Sequence, residues 1–107
     1  MNKANNPFIG TDLKLNIHID PIGEITMDDY DFEGEMYCSL GKSIIIPKSA
    51  AKRVDENNYM VVVETGKIGT GDLKCKVTAH VPDGDFPDQL RTEVACIDTQ
   101  ITIIKKL

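Results

Sequence analysis

Three stretches of the sequence carry residue types that bind ligands. In GKIGTGDLK, Gly66, Gly69 and Gly71 stand close together, and glycine-rich loops can turn bare backbone N–H groups towards a phosphate. The order GxxxxGK[ST] is absent, however, and the residues that follow read as a strand, not as a helix whose N-terminus could hold an anion. A turn that needs positive φ accounts for these glycines better. In PDGDFPD, Asp83, Asp85 and Asp88 offer carboxylates of the kind that take Ca²⁺. The EF-hand spacing fails, because its fifth and twelfth positions would be Pro87 and Val94. A turn in which Asx side chains cap backbone N–H groups is the better reading. The acidic row Asp29, Asp31, Glu33 and Glu35 is explained by a solvated strand face beside Lys74 and Lys76.

Catalytic chemistry finds little to use. His18 and His80 are the two histidines, and both fall on polar strand faces. Neither a GxSxG elbow nor an HExxH pair occurs. Carboxylates for glycoside hydrolysis are present by type, but the chain has no Trp, three Tyr and three Phe, and sugar clefts use such rings as platforms. The expectation is a protein that is not an enzyme and uses no cofactor or metal. Arg91, placed after the acidic loop, is expected to tie that loop down by a bidentate pair with Asp83, Asp85 or Asp88.

Period-two alternation positions all of these residues. DLKLNIHID sets Leu13, Leu15, Ile17 and Ile19 against Lys14, Asn16 and His18, the pattern of a half-buried strand. Asp29 to Ser39 repeats it with Tyr30, Phe32, Met36 and Cys38 inward, and Gly34 marks a candidate bulge on that face. Ser43 to Pro47 is a short apolar strand, and Lys48 to Val54 has room for one helical turn. Tyr59 to Thr65 reads as a buried strand and Leu73 to Val81 as another alternating one. Thr92 to Ile104 is β-branched and expected to split near Asp98-Thr99. About seven strands with frequent turn signals and no real helix predict an all-β fold: an Ig-like antiparallel β-sandwich. A small barrel is the alternative. Residues 1–10 read as an N-terminal arm and 11–107 as a single domain, in keeping with 107 residues and 11.8 kDa.

Charge and cysteine narrow the partners. Seventeen acidic residues against twelve basic give a net charge of −5, so free nucleic acid is not an expected partner. No apolar run approaches the ~20 residues of a membrane span, and the polar opening MNKANNPFIG does not resemble a signal peptide. Asp20 to Glu35 holds seven carboxylates and no Lys or Arg, whereas Lys42 to Arg53 holds four basic residues and no acid. A solvated face explains such blocks, which could also orient a subunit against its neighbour. Cys38, Cys75 and Cys96 lack CxxC spacing and read as small buried hydrophobes with reduced thiols. A bridge between two of them stays open as the alternative.

The two ends predict contacts with neighbours, with a frayed terminus as the alternative. Phe8 and Ile9 are apolar anchors on the arm, and ITIIKKL resembles an edge strand guarded by Lys105 and Lys106. Phe8, Ile9, Ile101, Ile103 and Ile104 are therefore the candidate interaction residues, since edges and arms are a recurrent recognition mode.

The run from Asn58 to Ile103 adds a resemblance through Tyr59 to Thr65, Ile68-Gly69-x-Gly71-x-Leu73, Val77-Thr78-Ala79, Pro82-Asp83, Asp85-Phe86-Pro87 and Arg91-Thr92-Glu93. It resembles a segment of small β-sandwich virion proteins of tailed phages and prophages of gut bacteria. More distantly, it is similar to the N-terminal domain of phage baseplate upper proteins. The leading strand and GKSIIIPKS fit more loosely. The resemblance implies a non-enzymatic structural protein in a virion, made in the host cytoplasm and present near a tail, baseplate or connector. Its implied partners are other virion proteins or copies of itself, in a homo-oligomer or larger assembly. Baseplate upper proteins continue into long C-terminal regions whereas this sequence stops at Leu107, so a self-standing adaptor or decoration subunit is expected. The competing expectation is an Ig-like module that recognises a glycan or host-surface protein through its loops.

Overall fold

A computed structural model describes residues 6–39 and 41–105. Alternating apolar residues become strands wherever they occur: β1 (Asp12–His18), β2 (Asp31–Cys38), β3 (Ile44–Pro47), β5 (Asn58–Glu64), β6 (Gly71–Pro82) and β7 (Leu90–Ile103). β4 (Lys52–Asp55) completes the set. One sheet has the order β1-β5-β4 and the other β3-β2-β6-β7, and every strand pairing is antiparallel. The result is a β-sandwich. The two-sheet, seven-strand expectation holds, but the strand order departs from the Ig constant type, where the second strand lies beside the fifth. Here β2 sits in the opposite sheet, between β3 and β6.

The inward residues of both sheets form one core. Phe32, Met36 and Cys38 from β2 meet Tyr59, Val61 and Val63 from β5, Ile17 from β1, and Leu73, Cys75, Val77, Ala79 and Val81 from β6. Met27, from a 3-10 turn at Met27–Asp29 that precedes β2, is fully buried. Asp29 belongs to that turn, not to the acidic strand row. Its carboxylate accepts from the backbone N–H of Thr26 at 2.8 Å and completes a capping box. In the remaining row, Glu35 lies opposite Lys76, with 4.0 Å between the charged atoms.

Several local expectations are corrected. Gly34 is not a bulge, because the β2–β3 and β2–β6 registers run through it unbroken. It is a vacancy on the core face, where an added Cβ would lie 3.7 Å from Ile17 and 3.8 Å from the Cys75 sulfur. Lys48–Ala50 makes the expected single turn, as a 3-10 helix, but Lys52–Asp55 then pairs with β5. All four β4 residues are exposed, so no alternation announced the strand. β7 does not split; it bulges. The register shifts opposite Asp72 and Lys74, Gln100 takes φ 62°, and the Thr99 hydroxyl donates to the Leu73 carbonyl at 2.8 Å. Gly69 and Gly71 have the positive φ expected of them, 122° and 113°.

The described part of the arm is not free. Phe8 forms a parallel bridge with Ile104, the Ile9 N–H donates to the Ile104 carbonyl, and the Ile104 N–H donates to the Pro7 carbonyl. Gly10 N–H then donates to the Thr65 hydroxyl at 2.9 Å, and that fully buried hydroxyl donates to the Thr11 carbonyl at 2.7 Å. Polar backbone next to an apolar core must find such partners. Residues 1–5 of the expected arm, and Lys106, lie outside the described residues. The molecule measures 53 × 25 × 25 Å with a radius of gyration of 15.4 Å, against about 13 Å for a compact chain of this length. The long β6–β7 hairpin stretches it.

Candidate functional site

On the flank formed by β3, β4 and the turn before β2, polar groups find partners within the chain. Asp28 accepts from Arg53 Nε at 2.9 Å, from Arg53 Nη2 at 2.9 Å and from the Tyr59 hydroxyl at 2.6 Å. These contacts hold the Asp28 carboxyl down at about 2, with the Arg53 hydrogen bonds the larger cause. Lys48 Nζ donates to the carbonyls of Tyr30 at 2.7 Å and Met27 at 2.9 Å, and lies 5.6 Å from the ring centres of Phe32 and Tyr59. Each charge here has its complement, so the arrangement is a clasp between the sheets.

The opposite flank is open. The three-stranded sheet ends at β1 and the four-stranded sheet at β7, and a groove of about 270 Å³ runs between them. Ile19, Ile22, Val77 and Val81 floor it, while Ala95 and Ile97 of β7 form its far wall. Ala95 and Ile97 share the face of Val77 and Cys75 yet are exposed, Ile97 at 42%. Among the described residues nothing covers them, because the smaller sheet stops one strand short. On the rim, His18 pairs with Asp20 at 2.8 Å, and hydrogen bonds to Asp20 and Asn58 raise the imidazole above its ordinary value. On the other face of β7, Val94 is 55% exposed.

The expected interaction residues divide. Phe8 and Ile9 are exposed at the surface, Ile101 is half-buried against the chain's own core, and Ile104 is half-buried beside Pro7–Ile9. Ile103 is corrected: at 1% exposure it is a core residue and presents nothing to a neighbour. The end of β7 read as a guarded edge is in fact sealed by Pro7–Ile9. Uncovered strand lies further back, at Leu90–Asp98. No signal marked it, because TEVACI differs little from a buried β run and only the missing opposite strand exposes it.

The structural loop is assembled as expected, with one change. Arg91 Nη1 donates to Asp83 at 2.6 Å, but its Nε reaches Glu93 at 3.0 Å, so the fork spans two carboxylates instead of gripping one. Asp83 also accepts from the Asp85 N–H, and Asp88 from the Leu90 N–H, which is the Asx capping read from the sequence. Among the described residues no group of three His, Cys, Asp or Glu side chains is placed to hold a metal. No helix among them is long and apolar enough to cross a membrane. Cys38 and Cys75 are buried, free thiols, as expected, and burial pushes Cys75 up to about 11. Cys96 is corrected: it is exposed on the outer face of β7. Comparison with protein-family models, curated proteins and solved structures finds no match.

Proposed function

We propose that this chain is a non-enzymatic structural subunit that joins a larger assembly, a virion, through protein–protein contacts along β7. One observation carries the assembly reading: β7 is a long edge strand with apolar side chains exposed on both faces, Val94 on one and Ile97 on the other. Isolated soluble domains blunt such edges, because unpaired N–H and C=O groups template pairing with another chain. The polar constellations are consumed within the fold, in the Asp28–Arg53–Tyr59 clasp and the Asp83–Arg91 loop. The virion setting comes from the resemblance of Asn58 to Ile103 to small tailed-phage proteins. The test is quantitative mass spectrometry of gradient-purified phage particles from a host carrying the gene. Several copies per particle are expected. Absence from particles, with the free protein binding a glycan array, would overturn the reading in favour of a binding module.

A further inference from the structure

We propose that β7 pairs antiparallel with β7 of a second copy about a two-fold axis at Ala95, fusing two four-stranded sheets into one of eight strands. The inference deepens the assembly reading and takes its biological meaning from it.

Hydrogen-bond direction fixes which residues can take part. At the closed end of the β6–β7 hairpin the Asp83 N–H donates to the Gln89 carbonyl at 2.9 Å. Antiparallel ladders alternate, so the pairs Val81–Arg91, Ala79–Glu93, Val77–Ala95 and Cys75–Ile97 exchange bonds within the hairpin. Thr92, Val94, Cys96 and Asp98 therefore turn their N–H and C=O groups to the free edge.

The other edges are guarded. The Ile19 N–H donates to the Asn57 carbonyl, so β1 offers Asp12, Lys14, Asn16 and His18 outward. β3 has four residues and ends in Pro47, and β4 carries Lys52, Arg53 and Asp55 with a register shift. Between Thr92 and Ile97, β7 has one charged residue, Glu93, and neither proline nor register shift. Of the devices that prevent pairing, this edge carries one, the inward-facing Glu93, and Arg91 holds its carboxylate.

Side-chain chemistry then selects the register, because outward-facing residues must oppose one another. An axis at Thr92 pairs only Leu90–Val94 before the Asp83–Gln89 turn ends the strand, and one at Glu93 sets two carboxylates face to face. At Val94 it sets Leu90 against Asp98, at Cys96 it sets Val94 against Asp98, and at Ile97 it sets Cys96 against Asp98. At Ala95, Val94 meets Cys96, the Thr92 hydroxyl meets the Asp98 carboxylate, and a small residue meets itself on the axis. On the inner face Glu93, already held by Arg91, lies beside Ile97. No like charges oppose across the seam, although each copy carries a net −5.

Sedimentation velocity over a concentration series of the intact chain tests this, with Cys96→Ser as the redox-inert parent. A monomer–dimer equilibrium is expected, and Val94→Lys should weaken it at least ten-fold with an unchanged circular dichroism spectrum. Ala95→Cys in the Cys96→Ser parent should form an intermolecular disulfide under mild oxidation, since a non-hydrogen-bonded pair brings Cα atoms to about 4.5 Å. Thr92→Cys in the same parent should not. A monomer at every concentration overturns the inference, as does a dimer indifferent to Val94→Lys or equal cross-linking at positions 92 and 95. Monomers in solution with copies found in particles would refute this pairing and leave the assembly reading standing. Dimers with none in particles would do the reverse.

Discussion

On the β3–β4 flank, Lys48, Asp28, Arg53 and Tyr59 tie a turn and both sheets together. On the β1–β7 flank, an apolar groove and a strand edge face solvent. The same short sequence has paired its charges on one side, where Ile45 and Val54 are also exposed, and left a groove and a long strand edge open on the other. Closure was thus within its means. Exposed apolar surface that a chain could have buried marks an interaction site more tellingly than a charged patch does.

The contrast can be broken by mutation. Phe32→Ala, on the closed flank, removes a ring that packs edge-on to Tyr59 at 5.1 Å and is 2% exposed. It should lower the unfolding free energy by about 3–5 kcal/mol in urea titrations. Ile97→Ala on the open flank should cost less than about 1 kcal/mol in the monomer, because the side chain is already partly in water. Equal losses would mean that the groove is as well packed as the core.

Thr65→Val tests the seal between the sheets. It keeps the shape but strands the Gly10 N–H and leaves the Thr11 carbonyl with only the Thr65 N–H, at a cost of about 1–3 kcal/mol by the same titration. The clasp has a pH signature as well. A carboxyl whose folded pKa is depressed stabilises above its unfolded pKa and loses that contribution as pH falls through the folded one. Asp28, held at about 2, should therefore make Asp28→Asn less stable than the parent at pH 7. The difference should shrink between pH 4 and pH 2, read from urea midpoints across that range. Iodoacetamide labelling at pH 8 separates the flanks chemically. Cys96 should label in the native protein, and Cys38 and Cys75 only on unfolding, because both are buried and burial raises both thiols. The smallest expected effect is at Gly34. Its Cβ space is ordinary contact distance, so Gly34→Ala should gain about 0.4–1 kcal/mol from the restricted unfolded chain.

Strands with one wet and one dry face were readable because burial imposes period two on them; β1, β2 and β6 are such strands. β4 was not, since its four exposed residues are held by pairing with β5 and by Arg53 reaching Asp28. Asp83 and Arg91 were paired correctly because they flank one hairpin loop and meet locally. The open edge was misplaced, at Ile101–Ile104 instead of Thr92–Asp98. Which stretch of β7 is covered depends on Phe8 bridging Ile104 and on β1 ending where it does. Both facts are long-range and leave no local mark.

The bridge between Phe8 and Ile104 also has a kinetic consequence. It joins residues near opposite ends of the sequence, so its loop-closure entropy must be met before its contacts give any return. The β1-β5-β4 sheet can form while β7 is still being synthesised, but the seam at Pro7–Ile9 must wait for Ile104. Slow folding of the millisecond-to-second kind common to all-β topologies follows. Until that last contact closes, the β7 edge is exposed along its full length, and a newly made chain carries more unpaired strand than the finished one shows.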